Sequence, residues 1–199
     1  MPTRSRFPKA RTALVLVDTI NGFDFPGGAA FARRCLGVAR AIAALRDRAT
    51  RARVPVVYVN DNLGRWRSDV HGLIERCRQP GNPGAPIVNL LAPRPSDYVI
   101  LKATLSGFYQ TPLETMLRLG GVRRLVITGF AADNCVLFTA ADAYMREYRL
   151  FIPSDCVASE TREQNDYALQ LMARVCKADI SPSTELDLAG LVSTAADAA

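Results

Sequence analysis

The sequence predicts a single doubly wound α/β domain: three α/β/α layers built around a mostly parallel, six-stranded sheet. Two observations carry this. Apolar runs of strand length recur along the chain, separated by stretches in which apolar residues step by three or four. The runs are also continuously apolar rather than alternating, as strands become when helices cover both faces of a parallel sheet. A chain of 199 residues is long enough to bury one full core.

The elements follow in order. MPTRSRFPKAR (1–11) reads as a flexible N-terminal segment, and the first strand is TALVLV (12–17). The apolar run stops at Asp18 with no small-residue cleavage site, so it is not expected to act as a secretory signal. Phe31, Cys35, Val38, Ile42, Leu45 and Ala49 mark one face of a helix whose Arg34, Arg40, Arg48 and Arg51 point outward. VPVVYV (54–59) is the second strand. The Pro- and Gly-rich stretch from Asn60 to Ser96 is expected to hold one short helix, Val70 to Cys77, within a long ordered loop. DYVIL (97–101) is the third strand. TPLETMLRLGG reads as a helix with Thr111 as N-cap, Glu114 completing a capping box, and Gly120 or Gly121 as the stop. RRLVITG (123–129) and YRLFIP (148–153) are further strands on either side of the helix CVLFTAADAYMREY. TREQNDYALQLMARVC opens with a Thr-x-x-Gln box, and a weak sixth strand falls near 178–180. The domain is expected to span 12–182, with 183–199 as a C-terminal tail.

Composition excludes several function classes. The net charge of +6 comes from scattered arginines, with Lys9, Lys102 and Lys177 the only lysines. There is no dense basic block interleaved with aromatics, so no nucleic-acid partner is expected. No apolar run approaches the roughly 18–20 residues of a membrane span, so no membrane partner is expected either. Cysteines 35, 77, 135, 156 and 176 are odd in number and lack CxxC spacing, which speaks against a disulfide framework or zinc knuckle. A cytoplasmic protein is the expectation.

In open parallel sheets, ligands bind beyond the carboxyl ends of the strands. Strand one ends in Asp18, strand three in Lys102, and strand four leads through GFAADN to Cys135. Each has an ordinary alternative: a turn aspartate, a solvated lysine, a packed cysteine. Together they place a carboxylate, an ammonium and a thiol on one edge. Asp133 or Asn134 is a natural N-cap, which would put Cys135 in a first helical turn, where the helix dipole and a nearby cation lower a thiol's pKa. Backbone N–H groups around Ala131, Ala132 and Cys135 would suit an oxyanion. The other four cysteines read as inert packing.

Over about residues 12–180 the chain resembles the isochorismatase-like (cysteine hydrolase) superfamily. DTINGF matches the first motif through Asp18, Asn21 and Phe23, with Ile20 in place of the usual Gln. KATLSGFYQTPL matches the second through Lys102, Ser106, Phe108, Thr111 and Leu113. GFAADNCV matches the third, with Ala132 where Thr is common. The resemblance implies the isochorismatase-like, Rossmann-like fold, with Asp18 as general base, Lys102 as stabiliser and Cys135 as nucleophile. It implies a cis peptide at Ala131–Ala132 and a homo-oligomer, dimer or tetramer.

Four functions compete at this point. One is metal-independent, cofactor-free hydrolysis of a small molecule's amide, ureido or carbamoyl C–N bond through a covalent thiol adduct. The second is vinyl-ether cleavage of the isochorismatase type, which needs no cysteine. The third is nicotinamidase, whose usual two-His metal site is ruled out because His71 is the single histidine and Asn62 falls where the first would stand. The fourth is a redox-sensing thiol without turnover. Phe23, Arg65, Trp66 and Arg67 are candidate substrate-binding residues. In the stretch GRWRSD, two arginines flank the only tryptophan. It is either a solvated loop with Trp66 packed on the body or a second subunit, or a lid whose arginines pair with a substrate carboxylate.

Overall fold

The computed structural model describes residues 7–64, 66–67 and 69–192. Five parallel strands, β1 (Thr12–Val17), β2 (Val56–Asp61), β3 (Tyr98–Lys102), β4 (Arg124–Phe130) and β5 (Arg149–Phe151), lie in the order β3-β2-β1-β4-β5. A sixth, β6 (Val157–Ala158), pairs with the carboxyl end of β4 through Gly129 and Phe130. The strand order reverses between β1 and β4, so the crevice for a ligand opens beyond their carboxyl ends.

Burial on both faces explains why the strands read as unbroken apolar runs. Along β1, Leu14 and Leu16 enter one core, shared with α1 (Gly28–Arg51) and α3 (Ala85–Leu91). Ala13, Val15 and Val17 enter the other, under α4 (Leu113–Gly120), α5 (Leu137–Met145) and α6 (Arg162–Val175). β1 and β4 pack so closely that a Cβ on Gly129 would lie 2.0 Å from the Val17 carbonyl oxygen, and φ there is +125°. Only glycine fits.

Several local expectations change. The sixth strand is β6; near 178–180 only Asp179 bridges Phe151. The loop after β2 holds α2 (Val70–Cys77), as expected, and also α3, missed because its prolines read as loop. Pro86 stands in the first turn of α3, where no intrahelical N–H is needed. Thr111 stands one residue before Pro112 at the N-cap of α4; its Oγ1 accepts from Leu113 N–H at 3.2 Å and donates to the Gly107 carbonyl. The capping box does not close, because Glu114 pairs with Arg146 instead. The box at Thr161 and Gln164 does form, capping α6.

The ends are packed further than the sequence suggests. Phe7 lies 4.9 Å from Tyr98, and Ala10 N–H donates to Gly120 O at 3.0 Å. Residues 183–192 carry α7 (Leu188–Val192) and bury Leu186 and Leu188. Arg48 holds this segment by donating to the carbonyls of Ser183 and Leu186. Arg46, unremarkable in the sequence, is buried: it donates to Tyr58 Oη at 2.7 Å and to the Leu90 carbonyl at 3.0 Å, closing the end of α3. No described helix is long and apolar enough to cross a membrane.

Candidate active site

Asp18 is the first residue past β1. Its N–H continues the ladder to Val59 O at 3.1 Å, and its φ of +51° turns the chain away from the sheet, a conformation aspartate tolerates. The following segment is clamped by Asn60, whose amide accepts from Ile20 N–H and donates to Ile20 O, both at 2.9 Å. Ile20, standing where the family usually has Gln, is fully buried. The Asp18 carboxylate thus stands in a fixed place. One oxygen accepts from Asp61 N–H at 2.5 Å, and the other lies 2.8 Å from Lys102 Nζ.

Lys102 ends β3 in register with Asp61 of β2, and its side chain reaches over the end of β2. The side chain is wholly buried, and its ammonium meets three acceptors: Asp18 Oδ2, Thr104 O at 3.0 Å and Cys135 Sγ at 3.4 Å. Those are the three bonds an ammonium can donate. Asp61 Oδ2 lies farther off, at 3.7 Å.

Cys135 follows β4 in an irregular turn, Ala132–Val136, in which Asn134 departs from helical geometry (φ −130°, ψ −105°). The cis peptide is Phe130–Ala131, one bond earlier than expected. Neither Asp133 nor Asn134 caps the turn; Ala131 precedes it, and its carbonyl accepts from Asn134 N–H and Val136 N–H, both at 3.1 Å. Asp133 instead exchanges hydrogen bonds with Ser159, whose hydroxyl accepts from its N–H and donates to its carboxylate. Cys135 is half-buried; the other four cysteines are buried and free.

Electrostatics correct one expectation. Burial, joined by the Asp18 carboxylate, pushes the Cys135 thiol up to about 12, and Lys102 offsets this only in part. The distorted turn does not present the aligned N–H groups of a regular helix start, so the dipole has little purchase. Burial likewise raises the Asp18 carboxyl, against the pull of Lys102. For Lys102, burial alone would lower the pKa, but Asp18, Cys135 and Asp61 together raise it. The thiol at rest is therefore neutral, beside the contact between Asp18 and Lys102. Iodoacetamide alkylation of Cys135 followed against pH reads this coupling. Its midpoint should move down in Asp18→Asn, where the raising anion is gone, and up in Lys102→Ala; superimposable profiles would remove the coupling.

The remaining candidates separate. Phe23 is not open to a ligand: it is 1% exposed, 5.4 Å from Phe31 and 6.2 Å from Phe130, and it backs the wall beside the cis peptide. Trp66 is 79% exposed, so it does not pack on the body of the chain. Arg67 is exposed too, and Arg65 lies outside the described residues. Asp61 reads in the sequence as a polar loop-start residue, with a metal remnant as the alternative, and Asn60 is missed altogether, because a polar pair after VPVVYV looks like an ordinary loop start. Among the described residues no three His, Cys, Asp or Glu side chains cluster to hold a metal ion. The Lys102 ammonium lies 2.8 Å from the Asp18 carboxylate and 3.7 Å from that of Asp61.

A sequence model of the isochorismatase domain matches residues 12–183. The chain belongs to the isochorismatase family of hydrolases. The isochorismatase family protein YaaI of Bacillus subtilis is 39% identical over 178 residues, covering 89% of this chain and 97% of its own. RutB, a ureidoacrylate amidohydrolase of Methylorubrum extorquens, is 32% identical over 186 residues, covering 74% of this chain and 69% of its own. Among solved structures, the N-carbamoylsarcosine amidase from Thermoplasma acidophilum superimposes with a TM-score of 0.66 at 30% identity, covering 89% of this chain and 99% of its own.

Proposed function

We propose that this family member is a metal-independent cysteine hydrolase that cleaves an amide, ureido or carbamoyl C–N bond of a small molecule. The observation that carries the reading is the contact of a thiol, a carboxylate and an ammonium at the switch point, with Lys102 Nζ 2.8 Å from Asp18 and 3.4 Å from Cys135. The amide-type substrates in the names of two relatives agree with it.

The chemistry runs as follows. Asp18 takes the Sγ proton as sulfur attacks the carbonyl carbon, so a free thiolate never accumulates and the high thiol pKa is no obstacle. Lys102 balances the charge that develops. Backbone N–H groups around Ala131, Ala132 and Cys135 receive the oxyanion. Protonated Asp18 then gives its proton to the departing nitrogen, leaving a thioester on Cys135. Water, deprotonated by Asp18, cleaves the thioester and restores the thiol. A redox sensor needs no positioned base, so a carboxylate and an ammonium held together beside Cys135 favour turnover over sensing. Vinyl-ether cleavage would leave Cys135 without a task.

The enzyme would work in the cytoplasm as a homo-oligomer, and Trp66, Tyr109, Phe138 and Met145 are among the large exposed side chains a second subunit could cover. Arg67, together with Arg65, would pair with a substrate carboxylate. Ammonia release from a panel of amides, ureides and N-carbamoyl acids, with Cys135→Ala as blank, tests the function. Carboxylated members should be preferred, and Arg65→Ala plus Arg67→Ala should cost about tenfold on those alone. Equal loss on neutral amides would remove the carboxylate partner.

A further inference from the structure

The loop that follows Lys102 is fastened to the helix that follows Cys135, at two points one turn apart. Ser106 Oγ donates to Asp142 Oδ2 and accepts from Phe108 N–H at 3.1 Å. Gly107 N–H donates to Thr139 Oγ1 at 3.0 Å. Thr139 and Asp142 are three residues apart on α5, hence on one face. The loop lies hard against the sheet as well: a Cβ on Gly107 would come within 2.8 Å of Val59 Cγ1. Asp142 is itself held, accepting from Arg146 Nη1 at 2.9 Å while Arg146 Nε donates to Glu114 of α4 at 2.8 Å.

Between Lys102 and Ser106 lies Thr104, whose carbonyl takes one of the ammonium's three hydrogen bonds. A lysine side chain has four rotatable bonds and a freely turning head, so two anionic or polarisable neighbours alone do not fix where its protons point. The third acceptor does, and its position depends on the loop. We propose that Ser106, anchored by Asp142, is a positioning residue that holds the Thr104 carbonyl in place and so sets the distance and direction of the Lys102 ammonium to the Cys135 sulfur. This rests on the reading of Lys102 and Cys135 as partners in turnover. The arrangement ties the cation to the same helix that carries the nucleophile, so the two move together.

When the ammonium recedes, both groups it stabilises feel the loss, since Lys102 holds down the pKa of Asp18 and of Cys135. Ser106→Ala should therefore lower the rate of Cys135 alkylation at a fixed alkaline pH by about fivefold and move the acid limb of kcat/KM upward. Turnover should fall mainly in kcat, by about 10- to 100-fold, with KM within about threefold. Ser106→Thr keeps the hydroxyl and should restore the alkylation rate to within about twofold of the wild type. Asp142→Asn, which keeps an acceptor but weakens the Arg146 pair, should shift alkylation in the same direction by less, and serves if Ser106→Ala does not fold. An alkylation profile for these variants superimposable on the wild type, or a Ser106→Thr variant as impaired as Ser106→Ala, overturns the proposal. Alkylation needs no substrate, so a shift in a protein that hydrolyses no amide upholds the positioning role and sinks the proposed function instead.

Discussion

Replacing Cys135 by alanine is expected to lower kcat/KM on the preferred amide by about 10⁴-fold or more, with the fold left intact. The size follows from the mechanism: without sulfur there is no covalent intermediate, and what remains is binding and whatever stabilisation the backbone N–H groups give to direct attack by water. The intact fold follows from the surroundings. Cys135 is only half-buried, sits in a turn rather than a core layer, and leaves Asp18 and Lys102 paired at 2.8 Å when it is truncated. Thermal and urea denaturation should change by no more than about 1 kcal/mol. Truncating Cys35 or Cys156 should do the reverse. Both are fully buried packing residues, so stability falls while kcat in the folded fraction holds.

The second large effect belongs to Lys102. Lys102→Met is expected to abolish turnover and to destabilise the fold by about 3 kcal/mol at neutral pH, because it strands the Asp18 carboxylate in a buried site without its cation. The pH dependence has a definite sign. Burial already holds the Asp18 carboxyl above its ordinary range even with Lys102 beside it. Removing the ammonium raises it further. A carboxyl whose folded pKa exceeds its unfolded value costs stability as pH rises through the folded pKa and none below the unfolded one. The gap between Lys102→Met and the wild type should therefore narrow as pH falls. Denaturant midpoints taken at several pH values check this; a gap independent of pH would mean that Asp18 is not the group left stranded.

How much of this was legible beforehand depended on the kind of signal. Asp18, Lys102 and Cys135 could be found because each ends or follows an apolar run, and parallel topology then brings strand ends to one edge. The helix face of α1 could be read from its step of three and four. Features that depend on tertiary contact could not be read that way. Arg46 looks like any other arginine of a polar helix until α3 sets its terminal carbonyls against it. α3 itself hides behind prolines. The two-residue β6 is too short to show a period, while the apolar ADI only makes a bridge. The direction of the thiol's pKa was misjudged for a physical reason. A cation and a helix start were credited, but the burial and the carboxylate that accompany them in three dimensions outweigh both. Ser106 stood in a recognisable motif, yet its partner Asp142 lies 36 residues away, beyond any spacing argument.

The most direct measurement is acid-quenched turnover of the preferred carbamoyl or amide substrate, followed by intact-mass and peptide analysis of the protein. The mechanism predicts a thioester adduct on the peptide containing Cys135, equal in mass to the acyl part of the substrate, which decays on chase and is absent from Asp18→Asn. Steady release of ammonia with no adduct on Cys135, and undiminished in Cys135→Ala, would contradict it.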